Sequence, residues 1–224
     1  MKLFSYIRYF FYIANNWNIS IAWYIIKQEV KGEKKYGIHT TGVDELKQLE
    51  EKGIDITHTT IYMPSSYELL EDLFSQLNAS PTKSLTHFLD IGCGKGRALC
   101  VAAHQGIPKV TGIDLAKELS DAAKENLAAT KQKIPSLNYN VINNDAFYFE
   151  IPADVDCIFL FNPFDEIIMS GVVNNIVKSL KKHRRKIIVL YINPLQKQLF
   201  SRVGFKETWH TKKMEYLEAV IMEN

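Results

Sequence analysis

The fold is decided by one stretch of the chain, Phe88-Leu89-Asp90-Ile91-Gly92-Cys93-Gly94-Lys95-Gly96-Arg97. A short apolar run ends in a carboxylate and is followed by three evenly spaced glycines, a pattern typical of a buried strand that turns sharply into a helix. Glycines leave no Cβ atoms between the backbone and a ligand. The stretch therefore predicts a strand, a tight turn and a helix start, with a ligand site at the carboxyl end of the strand.

Strand and helix patterns alternate outward from this turn. The predicted strands are residues 86–91, 109–114, 138–143, 155–161 and 186–192, and the predicted helices are residues 94–104, 116–130 and 165–181. Such alternation predicts an α/β fold with a doubly wound, mostly parallel sheet. Two further strand patterns, residues 205–211 and 215–222, predict an antiparallel hairpin. The expected sheet has seven strands and an antiparallel final strand.

The pattern changes character near residue 80. We expect an N-terminal helical extension or cap over residues 1–80 and a ligand-binding sheet domain over residues 81–224. In the extension, Thr41 is predicted to cap a short helix through Leu49. The Ser65-x-x-Glu68 pattern predicts a capping box that opens another helix.

The first 26 residues are mostly aliphatic and aromatic, but Arg8 and several asparagines interrupt the run before it reaches the about 20 residues that span a bilayer. A polar stripe at helical spacing predicts a helix that packs on the core or on a second copy of the chain, as in a homodimer. Shallow insertion into a membrane surface is the alternative.

The composition is that of one substantial core, because 46% of the 224 residues are hydrophobic and 23% are charged. A net charge of +2 provides no overall field that would attract nucleic acid, and the basic run at residues 178–186 is predicted to be a solvated helix end. Three cysteines without a CxxC pair indicate a reducing compartment, and we expect a cytoplasmic protein. The scattered histidines predict no metal site.

Two more aspartates follow predicted strands. Asp114 closes the second strand, where a carboxylate can accept hydrogen bonds from both hydroxyls of a ribose. Asp145 follows the third strand, where it can accept from the amino group of adenine, and Phe147 can pack on the ring. Either aspartate could instead cap the helix that follows it. With Asp90, these residues predict a pocket of the nucleoside type.

The fourth strand ends at Phe161-Asn162-Pro163-Phe164, followed by Asp165. Asn162 can accept a hydrogen bond from an incoming amine, and Asp165 is a second candidate for orienting or removing a proton. Pro163 and Phe164 are predicted to contact the substrate, with the Phe164 ring available to a cation. The alternative is an Asn-Pro turn followed by an Asp165 helix cap.

These features together resemble the class I S-adenosylmethionine-dependent methyltransferases over residues 85–222. The motif of two apolar residues, an aspartate and alternating glycines is matched by Leu89 through Gly96. The resemblance implies S-adenosylmethionine as the cofactor, with Asp114 at the ribose and Asp145 at the adenine. The amino-acid moiety of the cofactor would be held by Asp90, Gly92, Gly94 and Gly96.

Two other segments are similar to parts of that family. The Asn162-Pro163-Phe164 segment is similar to the Asn/Asp-Pro-Pro-Tyr/Phe motif of enzymes that methylate planar amino nitrogens, but one proline is missing. Residues 60–67 are loosely similar to segments that close over the cofactor in protein lysine methyltransferases, which makes Tyr62 a cofactor-binding candidate. Packing of Tyr62 in the core is the alternative.

The acceptor is expected to be an amine of a protein or of a small molecule. A nicotinamide-dependent oxidoreductase is the rival enzyme, although its Gly-x-Gly-x-x-Gly fingerprint differs from the even glycine spacing found here. A cofactor-binding scaffold without activity is the rival of another class.

Overall fold

The computed structural model describes residues 2–42, 62–79, 84–161, 164–213 and 217–224. The predicted helix from Thr41 to Leu49 therefore falls largely outside the described residues. Within them, the helices are α1 (Lys2–Asn16), α2 (Ile19–Tyr36), α3 (Tyr67–Asn78), α4 (Arg97–His104), α5 (Lys117–Lys133), α6 (Glu166–Lys182) and α7 (Lys197–Arg202). The strands are β1 (His87–Ile91), β2 (Lys109–Asp114), β3 (Asn138–Asn143), β4 (Cys157–Phe161), β5 (Ile188–Ile192), β6 (Lys206–Lys213) and β7 (Leu217–Glu223).

The strands form one seven-stranded sheet in the order β3-β2-β1-β4-β5-β7-β6. Strands β1 to β5 are parallel, and β7 runs antiparallel to both β5 and β6. The predicted fold class is confirmed, including the antiparallel final strand and the preceding helices. Strand order reverses at β1, which pairs with β2 on one side and β4 on the other. Ligands of α/β sheets bind beside such a reversal, at the carboxyl ends of the strands.

Each face of the sheet has its own apolar core, because successive strand residues point to opposite faces. In β4, Cys157 and Phe159 belong to the core under α3, α4 and α5, whereas Ile158 and Leu160 belong to the core under α6 and α7. The central strands are buried on both faces, which explains their nearly continuous apolar runs.

Three local predictions need correction. Helix α4 begins at Arg97 rather than Gly94, since the preceding glycines have left-handed backbones. The N-cap of α3 is Ser66 rather than Ser65, and its hydroxyl accepts from the Leu69 amide at 3.4 Å. The N-terminal segment forms two helices instead of one, because the Asn18 side chain caps a new helix by accepting from the Ile21 amide.

Candidate active site

The glycine turn joins β1 to α4 and is held against β2. The amides of Gly92 and Cys93 both donate to the carbonyl of Ile113, at 2.9 Å each. Gly94 and Gly96 have φ angles of +52° and +77°, in the left-handed region that residues with a Cβ atom avoid. The turn is thereby fixed at the carboxyl edge of the sheet, beside the reversal of strand order.

Tyr62 lies on this turn. A Cβ atom added at Gly94 would be 2.2 Å from the Tyr62 ring, so the contact depends on the missing side chain. The Tyr62 hydroxyl donates to the Thr40 carbonyl at 2.7 Å, and the Lys95 ammonium lies 5.0 Å from the ring centroid. The structure thus brings Tyr62, predicted from a short similarity, to the predicted glycines rather than into the core.

Two predicted carboxylates lie beside the turn, on β1 and β2. Asp90 is 2% exposed, and burial together with the charge of Asp114 raises the pKa of Asp90 well above its usual range. Asp114 accepts from the amides of Gly94 at 2.8 Å and Ala116 at 2.9 Å. Burial raises the pKa of Asp114, and these two bonds oppose the rise. The pair suits a ligand that brings ammonium or hydroxyl donors.

The predicted adenine contacts lie after β3. Asp145 accepts from the Phe147 amide at 2.8 Å, so it caps a turn, whereas the alternative interpretation expected a helix there. The Phe147 ring packs on α6, where a Cβ atom at Gly171 would be 2.4 Å from it. Contact of either residue with an adenine remains a prediction.

The end of β4 is described only in part. The predicted catalytic Asn162 and the predicted substrate contact Pro163 lie outside the described residues. Asp165 is the N-cap of α6 and accepts from two amides of its first turn, both at 3.0 Å. Phe164 is half-buried and packs against the core under α6. Asp165 therefore caps a helix in this structure, and its part in proton transfer remains a prediction.

A cavity of about 320 Å³ lies between the N-terminal helices and the carboxyl ends of β4 and β5. Residues of α1 and α2 form one wall, and Phe161 and Ile192 at the strand ends form another. Its lining is largely apolar and includes two acidic residues, Glu29 and Glu218. Met63 and Pro64, which follow Tyr62, also line it, whereas Asp90, Asp114 and the glycines of the turn do not.

Asn193 lines this cavity, although no prediction named it. It follows β5 directly and has a φ of +51°, the one positive value outside glycine in the described ranges. Asparagine tolerates this conformation better than most residues, and strained backbone is concentrated at functional sites. The sequence held a signal for it: Ile192-Asn193-Pro194 repeats after β5 the pattern of Phe161-Asn162-Pro163 after β4.

Arg97 links the glycine turn to α2 through a buried ion pair. Its guanidinium donates to both oxygens of Glu29, at 2.6 and 2.5 Å, and to the Ser65 carbonyl at 2.6 Å. Its Cζ atom lies 4.0 Å from the centroid of the Tyr67 ring. Both charged side chains are at most 3% exposed. The pair neutralises the acidic group on the cavity wall and fixes α2 to the turn.

Comparisons with known proteins agree with this geometry. Residues 88–183 match a family model described as a methyltransferase domain. The fold is similar to a Haemophilus influenzae protein described as a methylase, with 22% identity, a TM-score of 0.51 and coverage of 70% of this chain and 96% of the other. The fold is also similar to an Escherichia coli protein described as a methyltransferase, with 15% identity and a TM-score of 0.52. That alignment covers 72% of this chain and 89% of the other. No curated protein matches the sequence.

A third solved structure, a Nostoc punctiforme protein described as an O-methyltransferase, is 18% identical with a TM-score of 0.54. The alignment covers 70% of this chain and 55% of that one. At these identities the likeness concerns the fold, and it extends beyond the residues that the family model matches.

Proposed function

We propose that this chain is a class I methyltransferase that transfers a methyl group from S-adenosylmethionine to an acceptor in the cavity beside β4 and β5. The observation that supports this most is the meeting of Asp90, Asp114 and the glycine turn at one sheet edge, inside the matched residues.

The residues at this edge fit the cofactor. The carboxylates of buried Asp90 and half-buried Asp114 suit the ammonium and ribose hydroxyls of S-adenosylmethionine. Asp90 and the glycines would hold the amino-acid moiety, Asp114 the ribose, and Asp145 with Phe147 the adenine. Tyr62 would cover the glycine turn.

The bound cofactor supplies a methyl group on a positively charged sulfur, which leaves little acid or base chemistry to the protein. The chain's part is to position the acceptor for an in-line approach and to keep water away. Asn162 and Asp165 remain our candidates for accepting a proton or a hydrogen bond from the acceptor nitrogen. Asn193, on the cavity wall, is a further candidate for the same hydrogen bond.

The cavity supports a small-molecule amine with an apolar body as the acceptor. Glu29 is paired with Arg97, and Glu218 lies 3.1 Å from a ring nitrogen of His210. Both acids on the wall thus have basic partners, and the rest of the lining offers mainly aliphatic and aromatic contacts. Cytoplasmic location is part of the proposal and is supported by three buried free cysteines.

The test is transfer of label from methyl-labelled S-adenosylmethionine to a lysate of the source cells. We expect label in the small-molecule fraction, and label in protein would identify a protein amine as the acceptor instead. Asn193→Gly keeps the left-handed backbone and removes only the side chain, so it should reduce transfer without reducing S-adenosylhomocysteine binding. Unchanged transfer by this variant would remove Asn193 from the acceptor site.

The second candidate is a scaffold that binds the cofactor but does not turn over. The contact of Tyr62 with Gly94 favours this candidate, because it places a residue of the N-terminal region over the glycine turn. Binding of S-adenosylhomocysteine without transfer of label to any fraction would support the scaffold.

A further inference from the structure

The exposed side of α1 is apolar. Leu3, Phe4, Ile7 and Phe11 follow one another at spacings of one, three and four residues, so they share one helix face. Their exposed fractions are 72%, 71%, 46% and 59%. Helix α1 is therefore apolar on two sides, because Tyr9 and Ile13 are buried against α2 while these four side chains are exposed.

Helix α2 extends this apolar surface. Ile19, Trp23 and Val30 are exposed along one side of the helix. Phe10 joins the two helices, because its ring centroid lies 5.0 Å from that of Trp23 and 5.5 Å from that of Phe11. We call this surface the hairpin face: Leu3, Phe4, Ile7, Phe11, Ile19, Trp23 and Val30. Contiguous exposed apolar surface of this kind marks an interaction site.

The charged residues around the hairpin face are of one sign. Arg8, Lys27, Lys31 and Lys34 are exposed. Residues 1–36 contain six basic and two acidic residues, although the whole chain is nearly balanced, with 27 basic and 25 acidic residues. Those two acids are buried at 2% and 4% exposure, so they do not offset the surface charge. The hairpin therefore presents apolar and aromatic groups flanked by cations.

We propose that the hairpin face docks the protein on an anionic lipid bilayer, with α1 and α2 lying in the plane of the interface. Exposed Phe, Trp and Leu side chains flanked by Lys and Arg are the composition of interfacial helices. Within the described residues no helix is long and apolar enough to cross a membrane.

A second copy of the chain is a poorer occupant of the same face. A two-fold contact brings each surface against itself, so the cations of one hairpin would face those of the other. Anionic headgroups would instead pair with these cations. Trp17, which is 40% exposed, also lines the cavity, so docking would place the cavity close to the lipid.

The test is sedimentation of the full chain with phosphatidylcholine vesicles and with vesicles that also contain phosphatidylserine. No cofactor is added, so the result does not depend on the proposed methyl transfer. We expect partitioning onto the anionic vesicles to be at least about tenfold stronger and to fall as salt rises. Equal binding to both kinds of vesicle, or none, would overturn the proposal.

Variants separate the hairpin face from other surfaces. Phe4→Ser/Phe11→Ser/Trp23→Ser should lose binding, whereas Leu195→Ser, at an equally exposed apolar side chain elsewhere, should keep it. Circular dichroism checks that each variant is folded. If the triple variant binds like the parent, the hairpin face is not the docking site.

Charge reversal gives the second comparison. Lys27→Glu/Lys31→Glu/Lys34→Glu should reduce binding by about tenfold or more. Lys178→Glu/Lys181→Glu/Lys182→Glu, on exposed positions of α6, should change it little. Equal losses from both triples would mean nonspecific attraction. A dimer that is dissociated by the apolar triple variant, with no vesicle binding by the parent, would assign the face to a second copy.

Discussion

Asp90 and Asp114 lie where burial makes ionisation costly and where a ligand with ammonium or hydroxyl donors would offset that cost. Asp90 is buried and Asp114 is half-buried, and the charge of Asp114 adds to the cost of ionising Asp90. Such groups persist in a fold when a ligand compensates them. An ammonium at this edge would favour the ionised form that the ligand-free protein disfavours.

We expect Asp90→Asn to stabilise the ligand-free protein at neutral pH and to weaken S-adenosylhomocysteine binding by about tenfold or more. Folded Asp90 keeps its proton at pH values where the unfolded chain has lost it. Its contribution to stability is therefore present at acidic pH and is lost as pH rises through the raised folded-state pKa. The advantage of the variant should grow above about pH 4.

Urea unfolding at about pH 5 and about pH 8 measures this difference, and calorimetry measures the affinity. An Asp90→Asn variant that loses stability by the same amount at both pH values would contradict the raised pKa.

Gly94 tests the contact with Tyr62. Gly94→Ala should lower the free energy of unfolding more than Gly106→Ala does. Both glycines have positive φ, at a cost of about 1–2 kcal/mol for alanine, but a Cβ atom at Gly106 meets nothing within 4 Å. In a double-mutant cycle with Tyr62→Ala, Gly94→Ala should no longer lower the free energy of unfolding more than Gly106→Ala does. A persistent excess in the double variant would mean that Tyr62 is not the obstacle.

At the scale of elements, sequence and structure agree best where burial on both faces leaves a clear pattern. The bounds of β2 and β3 are those predicted, and the glycine turn and Asp114 were located from local sequence. Helix α7, from Lys197 to Arg202, was not predicted, because six residues after a proline show too little periodicity.

The orientation of α1 could not be predicted from its own sequence. Periodicity shows that a helix has an apolar side, but neighbouring elements decide which side they cover. In α1 the half-buried side includes Ser5 and Tyr12 of the predicted polar stripe, while Phe4 and Phe11 are exposed. The ion pair of Glu29 with Arg97 was equally hidden, because 68 residues separate its members.

This ion pair should join α2 to α4 strongly. We expect Glu29→Gln and Arg97→Met each to lower the free energy of unfolding by about 3–5 kcal/mol, because each leaves a buried charge without its partner. The double variant should cost much less than the sum of the two. Asp121→Asn, at exposed pairs with Lys117 and Lys124, is the control and should cost at most about 1 kcal/mol. Additive losses would show that the pair is not coupled.

For the whole molecule, one apolar core spans the proposed division at residue 80. It joins Tyr36 and Tyr67 of the N-terminal region to Phe88 and Leu99 of the sheet domain. The division into residues 1–80 and 81–224 is therefore a proposal about roles, a cap and a catalytic domain, rather than about separate folding.

We expect the two regions to unfold together. Variants that keep only Trp17 or only Trp209 report on α1 and β6, respectively, and should give the same urea midpoint by fluorescence. A lower midpoint for Trp17 would show that the N-terminal helices open before the sheet.

We propose above all that the edge formed by Asp90, Asp114 and the glycine turn binds S-adenosylmethionine, and calorimetry of the full chain can test this proposal. S-adenosylhomocysteine should bind, Asp114→Ala should abolish this binding in a protein that remains folded, and NADH should not bind. Binding of NADH without binding of S-adenosylhomocysteine would contradict it and favour an oxidoreductase.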